Sequence, residues 1–393
     1  MNKKLLSLPL ILVGALGFQS SVVSSPLISV GQNVDVFFNS SLSLRHNSNI
    51  YRVENNTTSD LLLVFSPGFE VRYGGRTESQ AQIVGNFRYD ILRYDSESRL
   101  NTENWVASVR GTYNTARLKS SAHASFEQLQ SPSQTGVQDL VLSQRITLGA
   151  DGEYRYSPKV SVGSGLNYEQ TKYRKGFTAN FSDRDSYTLP INVFYELTPK
   201  IDLSMGYRFR YTDVDDRPGV TGYTTNNHFF NVGLRGEVLP KVDGFLRVGY
   251  TRQNSSRATI ASQDTLGLNS ELTWAATPKT VISLMASRDF GVAGEGNTTE
   301  VTRVSTSAVY SMTPLLSING RLGWSLRDYK NNFGGNTFGG RKDNTYDLSL
   351  RSAYRINNYW TVSGGYTFED NDSNRTGLSY KNHIVDVAVS LRY

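Results

Sequence analysis

The chain has 393 residues and no cysteine, which excludes disulfide scaffolds, thiolate metal sites and a lipid anchor on cysteine. Hydrophobic residues make up 38% and the mean hydropathy is −0.40, so a bundle of membrane-spanning helices is excluded as well. The formal charge is +6, with no basic run beyond the first residues, and no nucleic-acid partner is expected.

The first element reads as a targeting segment. Asn2, Lys3 and Lys4 form a short positive region, and 5–18 is an apolar run too short to span a membrane. Val22 and Ser24 occupy the −3 and −1 positions of a cleavage after Ser24. Residues 1–24 are therefore expected to be a signal peptide and 25–393 one mature domain. Loss of Lys3 and Lys4 lowers the formal charge from +6 to +4.

From there the helix period is absent and a two-residue period recurs. In chain order it predicts strands near 33–44, 60–73, 80–94, 105–115, 121–128 and 140–156. Six more follow near 160–171, 186–197, 201–212, 228–239, 242–252 and 265–276. The last six lie near 280–290, 301–312, 316–329, 346–356, 359–369 and 382–393, with 121–128 and 280–290 alternating poorly. Ile201, Leu203, Met205, Tyr207, Phe209 and Tyr211, for example, alternate with Asp202, Ser204, Gly206, Arg208 and Arg210. Successive strand side chains point to opposite faces, so each run has an apolar and a polar side.

Alternation also fits a soluble sandwich, but these runs are about ten to twelve residues long, the length of a tilted membrane strand. Their polar faces carry arginine near mid-strand, which suits a wet lumen. Short and long connections also alternate. Prolines 158, 199, 240, 278 and 314 mark tight turns 41, 41, 38 and 36 residues apart, and Asn357-Asn358 takes the same place in the last cycle. A four-stranded propeller blade does not fit, because each period holds two long strands. The fold class expected is all-β: a transmembrane antiparallel up-and-down β-barrel of about eighteen strands, with short periplasmic turns and long extracellular loops.

The final run places Val385, Val387, Val389, Leu391 and Tyr393 on one face and ends on an aromatic residue. Val389, Leu391 and Tyr393 resemble the signal read by the outer-membrane barrel assembly machinery, which with outer-membrane lipid is an expected partner. Strand phase places Arg208, Arg210, Arg247, Arg303, Arg321, Arg351 and Arg355 in the lumen, beside acids such as Asp90, Glu196, Asp202, Asp347 and Asp386. Two readings stay open: these arginines pair with the acids and brace the wall, or they select anions. Trp105, Trp274, Trp324 and Trp360 are expected in interfacial girdles. Tyr173, Phe177, Phe181, Tyr223, Phe333 and Phe338 lie in or beside long loops, where they either contact sugars or fold the loops back.

Catalysis finds no constellation. The four histidines stand on distant segments without metal-ligand spacing, and no nucleophile elbow is present. The acidic stretch 213–216 lacks the spacing of a calcium loop. No enzyme activity, cofactor or metal is expected.

In the first hairpin, Asn49, Ile50, Tyr51 and Arg52 precede a strand interrupted by Pro67 and Gly68. This resembles the β-barrel porin type 2 family, which includes outer-membrane proteins encoded in exopolysaccharide operons, and the resemblance covers nearly the whole mature chain. It implies a passive outer-membrane conduit for exopolysaccharide, working with periplasmic export proteins. The alternatives are a general or anion-leaning diffusion porin and a non-conducting structural or adhesive barrel.

Overall fold

A computed structural model describes residues 25–31, 33–75, 79–133, 139–174, 180–333, 335 and 337–393. The expected signal peptide lies outside them. A three-residue strand, β1 (Ile28–Val30), precedes β2 (Val34–Asn47), β3 (Asp60–Tyr73), β4 (Ala81–Tyr94), β5 (Thr102–Asn114), β6 (Leu118–Pro132) and β7 (Leu140–Arg155). Next come β8 (Val160–Arg174), β9 (Arg184–Thr198), β10 (Ile201–Val214), β11 (Tyr223–Leu239), β12 (Val242–Ser255) and β13 (Gln263–Thr277). The chain ends with β14 (Thr280–Val292), β15 (Thr298–Ser311), β16 (Leu316–Tyr329), β17 (Lys342–Arg355), β18 (Trp360–Ser373) and β19 (Tyr380–Arg392).

From β2 to β19 each strand pairs antiparallel with its chain neighbours, and β19 pairs with β2 through Ile384–Arg392 and Asn39–Asn47. The eighteen long strands thus form a closed barrel, as the periodicity predicted. Closure is what lipid demands, because an open edge would leave backbone groups without partners. The short β1 was not legible, since three residues carry no period. It continues the seam: Phe38 and Tyr393 exchange backbone hydrogen bonds at 2.6 and 2.9 Å, and β1 then covers Val34–Val36 of β2.

The two faces sort by polarity. Leu42, Phe87, Leu166, Met205, Phe230, Leu350 and Val387 are exposed on the outer side, where hydrocarbon is the solvent. Several strands outrun their predicted bounds at the long-loop end: β11 begins at Tyr223 rather than 228, and β17 at Lys342 rather than 346. Those added residues are mostly polar on both faces, as expected of ladders that leave the membrane and stand in water.

At the opposite end the tight turns share a device. Thr198 Oγ1 accepts from the backbone N–H of Lys200 and Ile201, and Thr313 Oγ1 from Leu315 and Leu316. Asn357 Oδ1 does the same for Tyr359 and Trp360, which is why asparagine replaces the threonine–proline pair there. The β11–β12 turn has Leu239 instead, and closes with Lys241 at φ 64° and a bulge between Glu237 and Leu239.

Glycine lets the wall turn. Gly233 and Gly249 lie so close to the Leu246 and Phe230 carbonyls that a Cβ on either would collide, and Gly236 adopts φ 114° opposite Gly244. Roughly across the ring, Pro67 removes a ladder donor from β3. The β3–β4 pairing lapses at Ser66 and Pro67, then resumes in unchanged register at Gly68 and Arg88.

Candidate functional site: the lumen wall and its mouth

Following the paired register around the barrel puts all seven predicted arginines on the inner face, in phase with the acids. Four of them meet carboxylates. Arg208 and Arg210 share Asp289, at 2.6 and 3.1 Å. Arg321 lies 3.5 Å from Asp347, and Arg351 lies 2.5 Å from Asp386. Arg355 donates to the Pro314 carbonyl at 2.8 Å. Arg247 and Arg303 have no carboxylate within ion-pair distance among the described residues.

Inward glycines allow the long side chains to lie along the wall instead of projecting from it. Arg351, Gly365 and Asp386 form one row across β17, β18 and β19, and the ion pair closes above the glycine. A Cβ at Gly365 would sit 2.8 Å from Arg351 Nη2. Gly206 separates Asn192 from Asn231 in the same way, and Gly149 separates His123 from Asn167.

Over β7–β14 these contacts thicken into an inner layer. Arg235 on β11 reaches Glu153 on β7 through two hydrogen bonds of 2.6 and 2.7 Å. It also bonds Asp202 at 3.0 Å and lies 3.5 Å above the centre of the Phe194 ring. Arg208 covers Phe229 at 4.9 Å on its way from β10 to Asp289 on β14, across the inside of the glycine bend. Arg247 stacks on Phe245 at 4.8 Å and passes over Gly233, its Nε buried without a hydrogen bond. Phe37, Phe194, Phe229 and Phe245 were not anticipated in the lumen. Their signal was available, because each stands in the polar phase of its strand.

The residues that carry the family resemblance clasp the seam between first and last strands. Asn49 Nδ2 donates to the carbonyls of Val53 and of Lys381 on β19, at 2.8 and 3.1 Å. The Asn49 amide N–H donates to Asn382 Oδ1 at 3.1 Å. Arg52, at φ 53°, holds Glu369 of β18 in a two-pronged contact of 2.8 and 2.7 Å. Ile50, Tyr51 and Val53 bury against Leu100 and Leu140. Tyr51 donates to Glu97 at 2.9 Å and accepts from Arg99 at 2.7 Å. Burial, then the bond to Glu97, pushes the Tyr51 phenol up to about 12.

A second set of loops bridges the mouth over β8–β17. The tip of the β14–β15 hairpin is buried: Ser182 N–H donates to Gly294 O at 2.9 Å, and Tyr223 hydroxyl to Gly296 O at 2.6 Å. Asn297 donates to the Asn331 carbonyl at 2.6 Å, and Asn331 Oδ1 accepts from Thr298. Phe333 packs edge-on to Tyr223 beneath Arg217 and Arg257. Phe181 stacks on Tyr173, and Phe338 meets Tyr329. The described loop aromatics pack against one another, with Arg217 and Arg257 over Phe333. Phe177 lies outside the described residues.

The four tryptophans face outward. Trp105 stands near the long-loop end of β5, stacked on Phe126 at 4.0 Å, while Trp274 and Trp360 stand near the tight turns. Trp324 sits deeper, in the interior of β16. Val389 is exposed to lipid, Leu391 lies in the same outer row as Trp360, and the Tyr393 ring rests 5.4 Å from Tyr359. Among the described residues no cluster of His, Asp and Glu could hold a metal ion.

A closed ring of long strands with an apolar outer face, a charged lumen and tight turns at one end defines an outer-membrane β-barrel. The chain matches the family described as "Putative beta-barrel porin 2" over residues 30–393, and it belongs to that family. It is a porin-like protein of the bacterial outer membrane.

No curated protein matches the chain. Among solved structures it is similar to the outer-membrane protein OpdK of Pseudomonas aeruginosa, with 11% identity and a TM-score of 0.46 over 91% of this chain and 99% of that one. It is also similar to OpdQ of the same organism (11%, TM-score 0.45, 92% and 97%). The siderophore receptor PiuA of Acinetobacter baumannii is comparably similar (8%, TM-score 0.46, 91% and 82%).

Proposed function

We propose that the protein is a passive conduit favouring anionic cargo, and that this cargo is an exopolysaccharide leaving the cell with the help of periplasmic export proteins. The observation that carries the anionic preference is Arg247. It stands on the inner face between Arg208 and Arg235, which already hold carboxylates, and its guanidinium, packed on Phe245, has no carboxylate within ion-pair distance among the described residues. Arg303 adds a second such cation. The export direction and the polymer rest on the family resemblance of the first hairpin. Transport without catalysis fits the porin family and the wall-bound side chains, and barrel assembly machinery is the expected reader of Val389, Leu391 and Tyr393.

Deleting the gene in its host tests export. The expected result is loss of surface polysaccharide with polymer retained in the periplasm, and unchanged surface polymer contradicts it. A diffusion porin for small anions is the second reading, favoured by the same Arg247. It predicts current in planar bilayers together with unaltered polysaccharide in the deletion strain. The packed loops over β8–β17 favour a third, a structural or adhesive barrel, which predicts no current and loss of surface binding on deletion.

A further inference from the structure

The outer wall carries a feature that transport does not use. Over β9–β12 the lipid-facing side chains Met205, Tyr207, Phe230, Val232 and Val248 line an apolar groove of about 480 Å³. Its floor is thinned by Gly206 and Gly249, whose inner positions lack side chains. Met205 is 62% exposed and Phe230 56%, so the groove is open to the membrane.

Towards the tight turns the outer face of β11–β12 reads Leu234 opposite Leu246, then Gly236 opposite Gly244, then Leu239 opposite Val242. The paired glycines leave a notch between the groove and the turn. At the foot of that notch is Lys241, exposed, with its backbone fixed at φ 64°. Its ammonium has no acid within ion-pair distance among the described residues. Lys200 on the next turn is held 2.6 Å from Glu237, which also accepts the Lys241 N–H. Five residues separate Lys200 from Met205, about 16 Å of strand at ~3.3 Å per residue. At a strand tilt of about 40° this is ~12 Å of depth, within the ~15 Å that one leaflet contributes to the ~30 Å hydrocarbon core and so within reach of an acyl chain.

The turn end is the periplasmic end, so these cations stand at the inner-leaflet headgroups. Arg117, Lys159, Lys200, Lys241 and Lys279 occupy five successive turns, whereas the next two carry Leu315 and Asn358. The positive arc is centred on the groove.

We propose that this groove, with the Gly236–Gly244 notch and Lys241 at its foot, binds one anionic phospholipid of the inner leaflet. The phosphate sits at Lys241 and an acyl chain lies along Val232, Val248 and Met205. A lysine beside an anionic surface contributes about 1 kcal/mol, so preference for phosphatidylglycerol over phosphatidylcholine is expected to be about fivefold.

Native mass spectrometry of the full-length barrel in detergent, titrated with either lipid, reads this directly. The expected result is one retained phosphatidylglycerol and about fivefold weaker retention of phosphatidylcholine. Lys241→Asn, which tolerates the left-handed backbone, removes the preference, whereas Lys279→Asn on the neighbouring turn keeps it. Val232→Trp fills the groove and lowers retention of both lipids. Equal retention of the two lipids by the wild type overturns the proposal, as does an equal loss in the Lys241 and Lys279 variants. A groove covered by a second copy, seen as a lipid-free dimer that Val232→Trp dissociates, overturns it too.

Discussion

Arg351 and Asp386 form an ion pair of 2.5 Å across a strand to which neither belongs, because the residue between them in the paired row is Gly365. The glycine keeps both side chains flat against the wall and the lumen clear. Gly365→Ala is expected to displace the flexible end of Arg351 and weaken its ion pair, at a cost of up to about 1 kcal/mol. The midpoint of heat unfolding, followed by the gel shift of folded and unfolded barrel, measures it. An unchanged midpoint would show that the row is not tightly packed.

Removing one partner separates the wall-bracing from the conducting role. Asp386→Asn leaves Arg351 uncompensated in the lumen, and the reversal potential in a salt gradient is expected to move towards anions. Arg247→Gln moves it the other way, because that guanidinium has no carboxylate within ion-pair distance among the described residues. Matching shifts in both variants would mean that lumen charge does not govern passage.

The seam clasp gives a stability test. Arg52→Ala strands Glu369 and is expected to cost about 1–3 kcal/mol. Arg52→Lys recovers only part of that, since an ammonium cannot reproduce the two-pronged contact. Both are read as lower unfolding midpoints without a change in open-channel selectivity. A selectivity change would place the first loop in the conduction path.

Tyr51 predicts an alkaline limit for the same loop. Its folded pKa of about 12 lies above the ordinary 10.0, so the neutral phenol is the form the fold favours. Its contribution is complete below pH 10 and is lost as pH rises to about 12. Tyr51→Phe is expected to reduce the pH dependence of unfolding in that window, and the late phase of phenolate absorbance is expected to be smaller in the variant by one tyrosine. An equal slope in the variant would remove Tyr51 from the account.

The absence of cysteine makes the strand phase itself testable. Ser305→Cys, on the inner face of β15, is expected to react with a water-soluble maleimide, and Val304→Cys, on the outer face, to stay unlabelled until detergent is added. Reversed labelling would invert the register.

Much of this architecture was legible because lipid and water impose a strict two-residue period. Met205 and Arg208 fall on opposite faces by counting alone. Phe194 was also readable, standing in phase with Asn192 and Glu196, but composition draws an aromatic residue towards lipid unless phase is followed. The pairing of Arg52 with Glu369, 317 residues apart, was not readable, since it depends on β18 lying next to the closing strand. Nor was the packing of Phe333 on Tyr223, because loops have no period to count.

The central claim is an aqueous lumen whose uncompensated arginines favour anions. Purified barrel in a planar bilayer under a potassium chloride gradient tests it most directly. The account predicts discrete openings with a reversal potential displaced towards that of chloride. A membrane that stays silent, or a reversal potential displaced towards potassium, would contradict it.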